Sequence, residues 1–200
     1  MSFLSIAREA EYEAVRKGSR FVAWAVRVGS EEEVTGSLEE ARKRHTDASH
    51  HCWAYRVGPR VRFSDDGEPG GTAGRPMLEV LLKRELQEVL GVVTRYYGGT
   101  KLGAGGLVRA YGGTFSKALD LAGVRMIRPR QGLTIMVAYS DMDAVHRLLD
   151  TWPGVNKGEV AFDAGGMQLS VSLLADDMER FEQALADVTR GSASVRAEGG

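Results

Sequence analysis

The sequence predicts an α+β protein in two modules, on three observations. Apolar runs of strand length alternate with amphipathic stretches of helical period, the charge balance changes sign near residue 125, and the second part reads as a complete βαββαβ unit. With 200 residues, 43% of them apolar, five prolines and a formal charge of -1, the chain is long enough for one large domain or two small ones and is not a disordered polymer. The longest apolar run, residues 21–26, falls far short of the roughly 20 residues that cross a bilayer, and no apolar leader follows Met1. A cytoplasmic protein with no membrane partner is expected. A single cysteine, Cys52, excludes an intramolecular disulfide and any multi-cysteine zinc or iron–sulfur site. Glycine is the anomaly: of 25 residues, 13 lie between Gly58 and Gly113.

In the first module, residues 21–28 are apolar at nearly every position, as in a strand covered on both faces. Residues 30–45 follow as a helix, opened by Ser30 with Glu33 in a capping-box pattern and carrying Leu38 and Ala41 on one side. Two strands, 51–57 and 61–64, flank the turn dipeptide Gly58-Pro59. A glycine-rich segment over 65–74 leads into a short helix over 76–84, with Pro76 in the first turn, where its missing N–H costs nothing. Residues 89–97 form a strand, and 107–121 a helix with the apolar stripe Leu107, Tyr111, Phe115, Ala118, Leu119, Ala122. The module is a layered sheet with its helices on one face.

Up to Arg125 there are 19 basic and 16 acidic residues, and beyond it 7 and 11. Residues 125–132, rich in arginine with Pro129 and Gly132, read as a connector, so domains are expected over 1–128 and 129–200. In the second module, 133–139 is a strand and 141–152 a helix with Met142, Val145, Leu148 and Leu149 inward. Residues 159–162 form a short strand, and 167–173 alternate strictly between apolar and polar, as in a half-exposed antiparallel strand. A helix over 176–188 and a closing strand over 192–196 complete a ferredoxin-like sandwich.

Two loops concentrate chemistry. The first places Asp65, Asp66 and Glu68 before four glycines and a helix start, a set suited to a cation, a basic partner or acid–base work; equally, the aspartates could satisfy local backbone N–H groups. In the second, a strand ending near Tyr96 and Tyr97 feeds a loop with Gly103, Gly105 and Gly106 and then a helix N-terminus. Unpaired N–H groups there attract anions, and Arg95, Lys101 and Arg109 add charged donors; equally, the glycines could serve close helix–sheet packing. It is not a Walker loop. Tyr96 and Tyr97 are candidates for stacking on a base. His45, His50, His51 and Cys52 suggest a metal set, but a strand starting at His51 points His51 and Cys52 to opposite faces, so no metal is expected. Nor is Cys52 given an activating base.

The strings 45–55 (HTDASHHCWAY), 64–78 (SDDGEPGGTAGRPML) and 92–111 (VVTRYYGGTKLGAGGLVRAY), with the lead-in 17–21 (KGSRF), resemble the signature of the Impact/YigZ family over about residues 15–120. Tyr97 stands where phenylalanine is more usual. The resemblance implies an N-terminal domain similar to the second domain of ribosomal protein S5, followed by a ferredoxin-like domain similar to the C-terminal domain of the translocating elongation factor. Eukaryotic relatives act in translational control, but through a different N-terminal module, so their partner does not transfer. Both folds recur in translation proteins, which by analogy implies RNA, the ribosome or a translation factor as partner.

The expected function is therefore non-enzymatic regulation of translation. Arg75, Arg95, Tyr96, Lys101, Gly103, Gly105, Gly106 and Arg109 are the candidate anion- or RNA-binding residues, and no cofactor is expected. The alternative is a nucleotide- or phosphate-ester-handling enzyme with a divalent ion on Asp65, Asp66 and Glu68. Oligomeric state is not legible. The question on which both readings turn is whether the two glycine-rich loops meet in space.

Overall fold

The computed structural model describes residues 2–197, which divide into two compact units, one running over Phe3–Ile127 and the other holding Ser2 and the described residues from Arg128 onward. Met1 and residues 198–200 lie outside the description. In the first unit, β1 (Phe3–Ile6), β2 (Ala10–Arg16), β3 (Ser19–Arg27), α1 (Glu31–Arg44), β4 (His50–Val57), β5 (Arg60–Ser64), α2 (Gly74–Lys83), β6 (Val89–Tyr96), α3 (Ala104–Ala122) and β7 (Val124–Ile127) follow in order. Five strands form an antiparallel sheet in the order β2-β3-β6-β4-β5.

The apolar run of β3 explains how this sheet is covered. Phe21, Ala23 and Ala25 pack with Cys52, Ala54 and Val93 against Met77 and Leu81 of α2 and Tyr111, Phe115 and Leu119 of α3. On the other face Trp24 joins Tyr55, Leu90 and Val92 beneath Val34 and Ala41 of α1. The expected one-sided arrangement of helices is thus corrected: a strand apolar on both sides needs cover on both, and α1 supplies the second layer. Each fully buried ring, such as Phe21 or Phe115, contributes about 1.5–3 kcal/mol by leaving water. A Cβ on Gly91 would stand 2.2 Å from the Phe115 ring, so one of the clustered glycines lets α3 lie directly on the sheet.

β1, β2 and β7 have no counterpart among the elements expected from the sequence. β2 alternates Tyr12 and Ala14 with glutamates, a weak strand signal, and is held to β3 by the Lys17-Gly18 turn, where both residues have positive φ (46° and 82°) as a two-residue hairpin of type I′ demands. β7 pairs with β1 from Phe3↔Ile127 to Ile6↔Val124. The expected connector over 125–132 is therefore mostly strand, and only Arg128 and Pro129 lie between β7 and the next strand.

The second unit comprises β8 (Arg130–Val137), α4 (Met142–Thr151), β9 (Asn156–Asp163), β10 (Gly166–Leu174), α5 (Met178–Thr189) and β11 (Ser194–Ala197). Its antiparallel order β11-β8-β10-β9 is that of a ferredoxin-like βαββαβ sandwich. Alternate residues Met167, Leu169, Val171 and Leu173 of β10 meet Val145 and Leu149 of α4 and Phe181 and Leu185 of α5. β9 is twice as long as expected, because Asn156, Lys157 and Gly158 join it through a register shift opposite Leu169 and Val171. The protein is thus α+β throughout. Among the described residues no helix is long and apolar enough to cross a membrane.

Candidate functional site

The acidic loop joins β5 to α2 and is organised by one carboxylate. Asp65 Oδ1 accepts from the N–H groups of Ala73 (2.9 Å) and Gly74 (2.8 Å), and Oδ2 from that of Gly71 (2.8 Å). Ala73, at the N-cap of α2, has no capping side chain of its own, so Asp65 supplies the acceptor from eight residues upstream. Asp66, with φ 42°, turns back to accept from the His51 N–H at 2.6 Å, and its carbonyl meets His50 Nδ1 at 2.8 Å. Both aspartates are spent on the loop's own backbone and on β4.

Glu68 points the other way, into a buried network. Its Oε1 accepts from Arg95 Nη1 and from the Tyr111 hydroxyl, both at 2.6 Å. Arg95 Nη2 reaches Ser19 Oγ at 3.2 Å, and the Arg95 and Glu68 side chains are only 5% and 4% exposed. Burial pushes the Tyr111 phenol far above its usual range and the Cys52 thiol up to about 12, so both keep their protons at neutral pH. A charge pair so enclosed persists because Glu68 Oε1 and both terminal nitrogens of Arg95 are hydrogen-bonded, although Arg95 Nε is buried without a partner.

The second glycine-rich loop runs from β6 to α3 and packs on the β2–β3 turn. A Cβ on Gly98 would lie 2.0 Å from the Gly18 carbonyl carbon, a distance that only glycine at 98 avoids. The Gly98 N–H then donates to Ser19 Oγ, tying this loop to the oxygen that also holds Arg95. Gly103, at φ 74°, turns the chain into α3, whose first turn has no side-chain cap.

The two loops meet. Together they line a cleft of about 300 Å³, with Glu68 and Arg95 at its floor, Pro69, Leu102 and Leu107 along its walls, and Tyr97 and Lys101 at its rim beside Gly103 and Ala104. The Tyr97 ring, half exposed, lies 5.3 Å from the Arg95 guanidinium.

The anticipated residues are not all here. Tyr96 faces away: its hydroxyl meets His45 Nδ1 at 2.8 Å, and Arg20 lies 4.1 Å over its ring. Successive strand residues point to opposite faces, so Arg95 and Tyr97 share the cleft side while Tyr96 takes the α1 side; the period of two carries that signal. Arg75 sits on the exposed face of α2 with Glu79, at 3.4 Å. Arg109 is exposed on α3, and Gly105 and Gly106 lie in its first turn; none of the three lines the cleft. Arg95 itself is no free cation, since Glu68 holds it. Lys101 is the exposed basic side chain among the cleft's lining residues. Pro69, Leu102 and Leu107 have no chemical motif to mark them.

Among the described residues, no three His, Cys, Asp or Glu side chains converge on a metal position. His45 is drawn to Tyr96, His51 to Thr94 at 3.2 Å, and Cys52 to the Asp65 carbonyl at 3.0 Å. Desolvation lowers the pKa of both His45 and His51.

Comparison with known proteins draws on the same segment. A family model described as the Impact N-terminal domain matches residues 17–119, which contain both loops. The chain is 38% identical over 188 residues to the IMPACT family member YigZ of Escherichia coli, covering 90% of each. The chain belongs to the IMPACT family. It is also similar to the family member YvyE of Bacillus subtilis, 47% identical over 126 residues, which cover 62% of this chain and 58% of that one. The protein IMPACT homolog of Dictyostelium discoideum matches over 94 residues at 38% identity, 27% of its own length. A crystal structure of a hypothetical protein superposes with a TM-score of 0.72 at 35% identity, over 99% of this chain and 98% of that one.

Proposed function

We propose that this IMPACT family protein is a translation-associated regulator that binds single-stranded RNA in the cleft between the two glycine-rich loops. The observation that carries the reading is the convergence on one cleft of a half-exposed aromatic ring, Tyr97, an exposed lysine, Lys101, and the uncapped start of a 19-residue helix. A ring offers any base a stacking surface, and a lysine beside free backbone N–H groups receives phosphate. The resemblance of both folds to proteins of the translation machinery supports the setting, as an analogy. The enzymatic alternative draws no support from this loop, where Asp65 accepts three backbone N–H groups, Asp66 accepts that of His51, and Glu68 Oε1 is held by Arg95 and Tyr111.

The test is fluorescence anisotropy of labelled single-stranded RNA with the full chain. Tyr97→Ala combined with Lys101→Ala weakens binding about tenfold or more, at the scale of one base stack plus one phosphate contact. Unchanged affinity in the double variant, or no binding by the parent protein, overturns the reading.

A further inference from the structure

Of the three acidic side chains in the first loop, Glu68 alone lines the cleft. Its Oε1 takes both bonds of the network, and no donor among the described residues reaches Oε2. Among the described residues, the buried side-chain atoms sealed from solvent without a partner are Ser5 Oγ, Arg95 Nε and Trp152 Nε1; Glu68 Oε2 is not one of them, so it keeps some access to solvent in a residue that lines the cleft. A carboxylate fixed by two short hydrogen bonds in a cleft lined by Pro69, Leu102 and Leu107 suits an apolar-faced ring that presents N–H groups, because a carboxylate only accepts.

We infer that the cleft takes the Watson–Crick edge of one unpaired guanine, which rests on the RNA reading above. Guanine presents two adjacent donors, N1–H and the N2 amino group, followed by the O6 acceptor. Adenine and cytosine each set a ring-nitrogen acceptor beside their single amino donor, and uracil flanks one N–H with two carbonyls, so each turns a lone pair toward the carboxylate. The choice rests on Glu68 and not on Arg95, whose Nε is sealed from solvent and whose Nη1 is held by Glu68 Oε1: the two adjacent N–H groups of guanine are what the accepting carboxylate selects. The exposed Tyr97 ring at the rim stacks on the base or its neighbour without regard to identity.

The experiment is anisotropy of the full chain with uridine pentanucleotides that carry guanine, adenine, cytosine, uracil or hypoxanthine at the centre, with GMP as a competitor. The expected result is about tenfold tighter binding for guanine than for adenine, cytosine or uracil, with hypoxanthine, which lacks the amino group, in between. Glu68→Gln, checked for folding by its melting temperature, abolishes the preference; Tyr97→Ala weakens all five oligonucleotides and leaves the ratios intact. If the Gln variant does not fold, the hypoxanthine step still decides. Equal affinity for all five centres overturns the guanine site and leaves the RNA reading standing. GMP that competes as tightly as the guanine pentamer upholds the guanine site and overturns RNA as its source, while no binding of any probe overturns both.

Discussion

Asp65 and Glu68 stand three residues apart and do opposite work. Asp65 accepts three backbone N–H groups and so holds the loop and the start of α2 in place. Replacing it with alanine leaves those donors without their acceptor; Asp65→Ala lowers stability by about 3 kcal/mol, measured by urea unfolding, with the larger loss falling on the first unit. Cys52 gives a pH signature. Burial raises its folded pKa from 9.0 to about 12, so its share of stability is complete below pH 9 and is lost as pH rises from 9 toward 12, at up to about 1.4 kcal/mol per pH unit. Replacing Cys52 with alanine flattens that part of the profile; an unchanged slope between pH 9 and 11 contradicts the assignment. At this scale the sequence shows which residue types carry chemistry but not reliably which way they face: Tyr96 has the composition of a site residue, whereas Arg95 and Tyr97, two apart along the chain from β6, share the cleft side. Strand alternation contains that answer for the tyrosines. Nothing local announces that Arg95 is neutralised by Glu68.

At the scale of elements, the glycines separate into kinds with different consequences. Gly98 is pressed against the Gly18 backbone, whereas Gly103 faces open space and is special only for its φ of 74°. Gly98→Ala therefore forces the β6–α3 loop off the β2–β3 turn and abolishes any cleft binding, while Gly103→Ala costs about 1–3 kcal/mol of backbone strain and leaves the unit folded. Circular dichroism melts of the two variants, compared side by side, check the order. Elements with strong periodicity are legible: β3, α1 with its Ser30 cap, the apolar stripe of α3 and the alternation of β10 all stand within a few residues of expectation. β2 and β7 are not, because one alternates with glutamate and the other is a four-residue strand whose partner, β1, lies about 120 residues away.

For the whole molecule, a charge of -1 argues against strong non-specific nucleic-acid binding. The cleft offers Lys101 and one helix start, so RNA affinity falls with salt along a log–log slope of about -0.7 to -1.4, the value for one or two phosphates on a single strand. A slope several times steeper, measured by anisotropy across a potassium chloride series, points to another surface. By itself the sequence determined the α+β class, the order of most elements, the family and the two loops that matter, because periodicity, capping and backbone freedom are encoded within a dozen residues. Only the tertiary structure decided that these loops form one cleft and what its floor is made of. Glu68 is 27 residues from Arg95 and 43 from Tyr111, and Arg95 is 76 from Ser19; such partners are chosen by the packing of helices on a sheet, which no local pattern specifies.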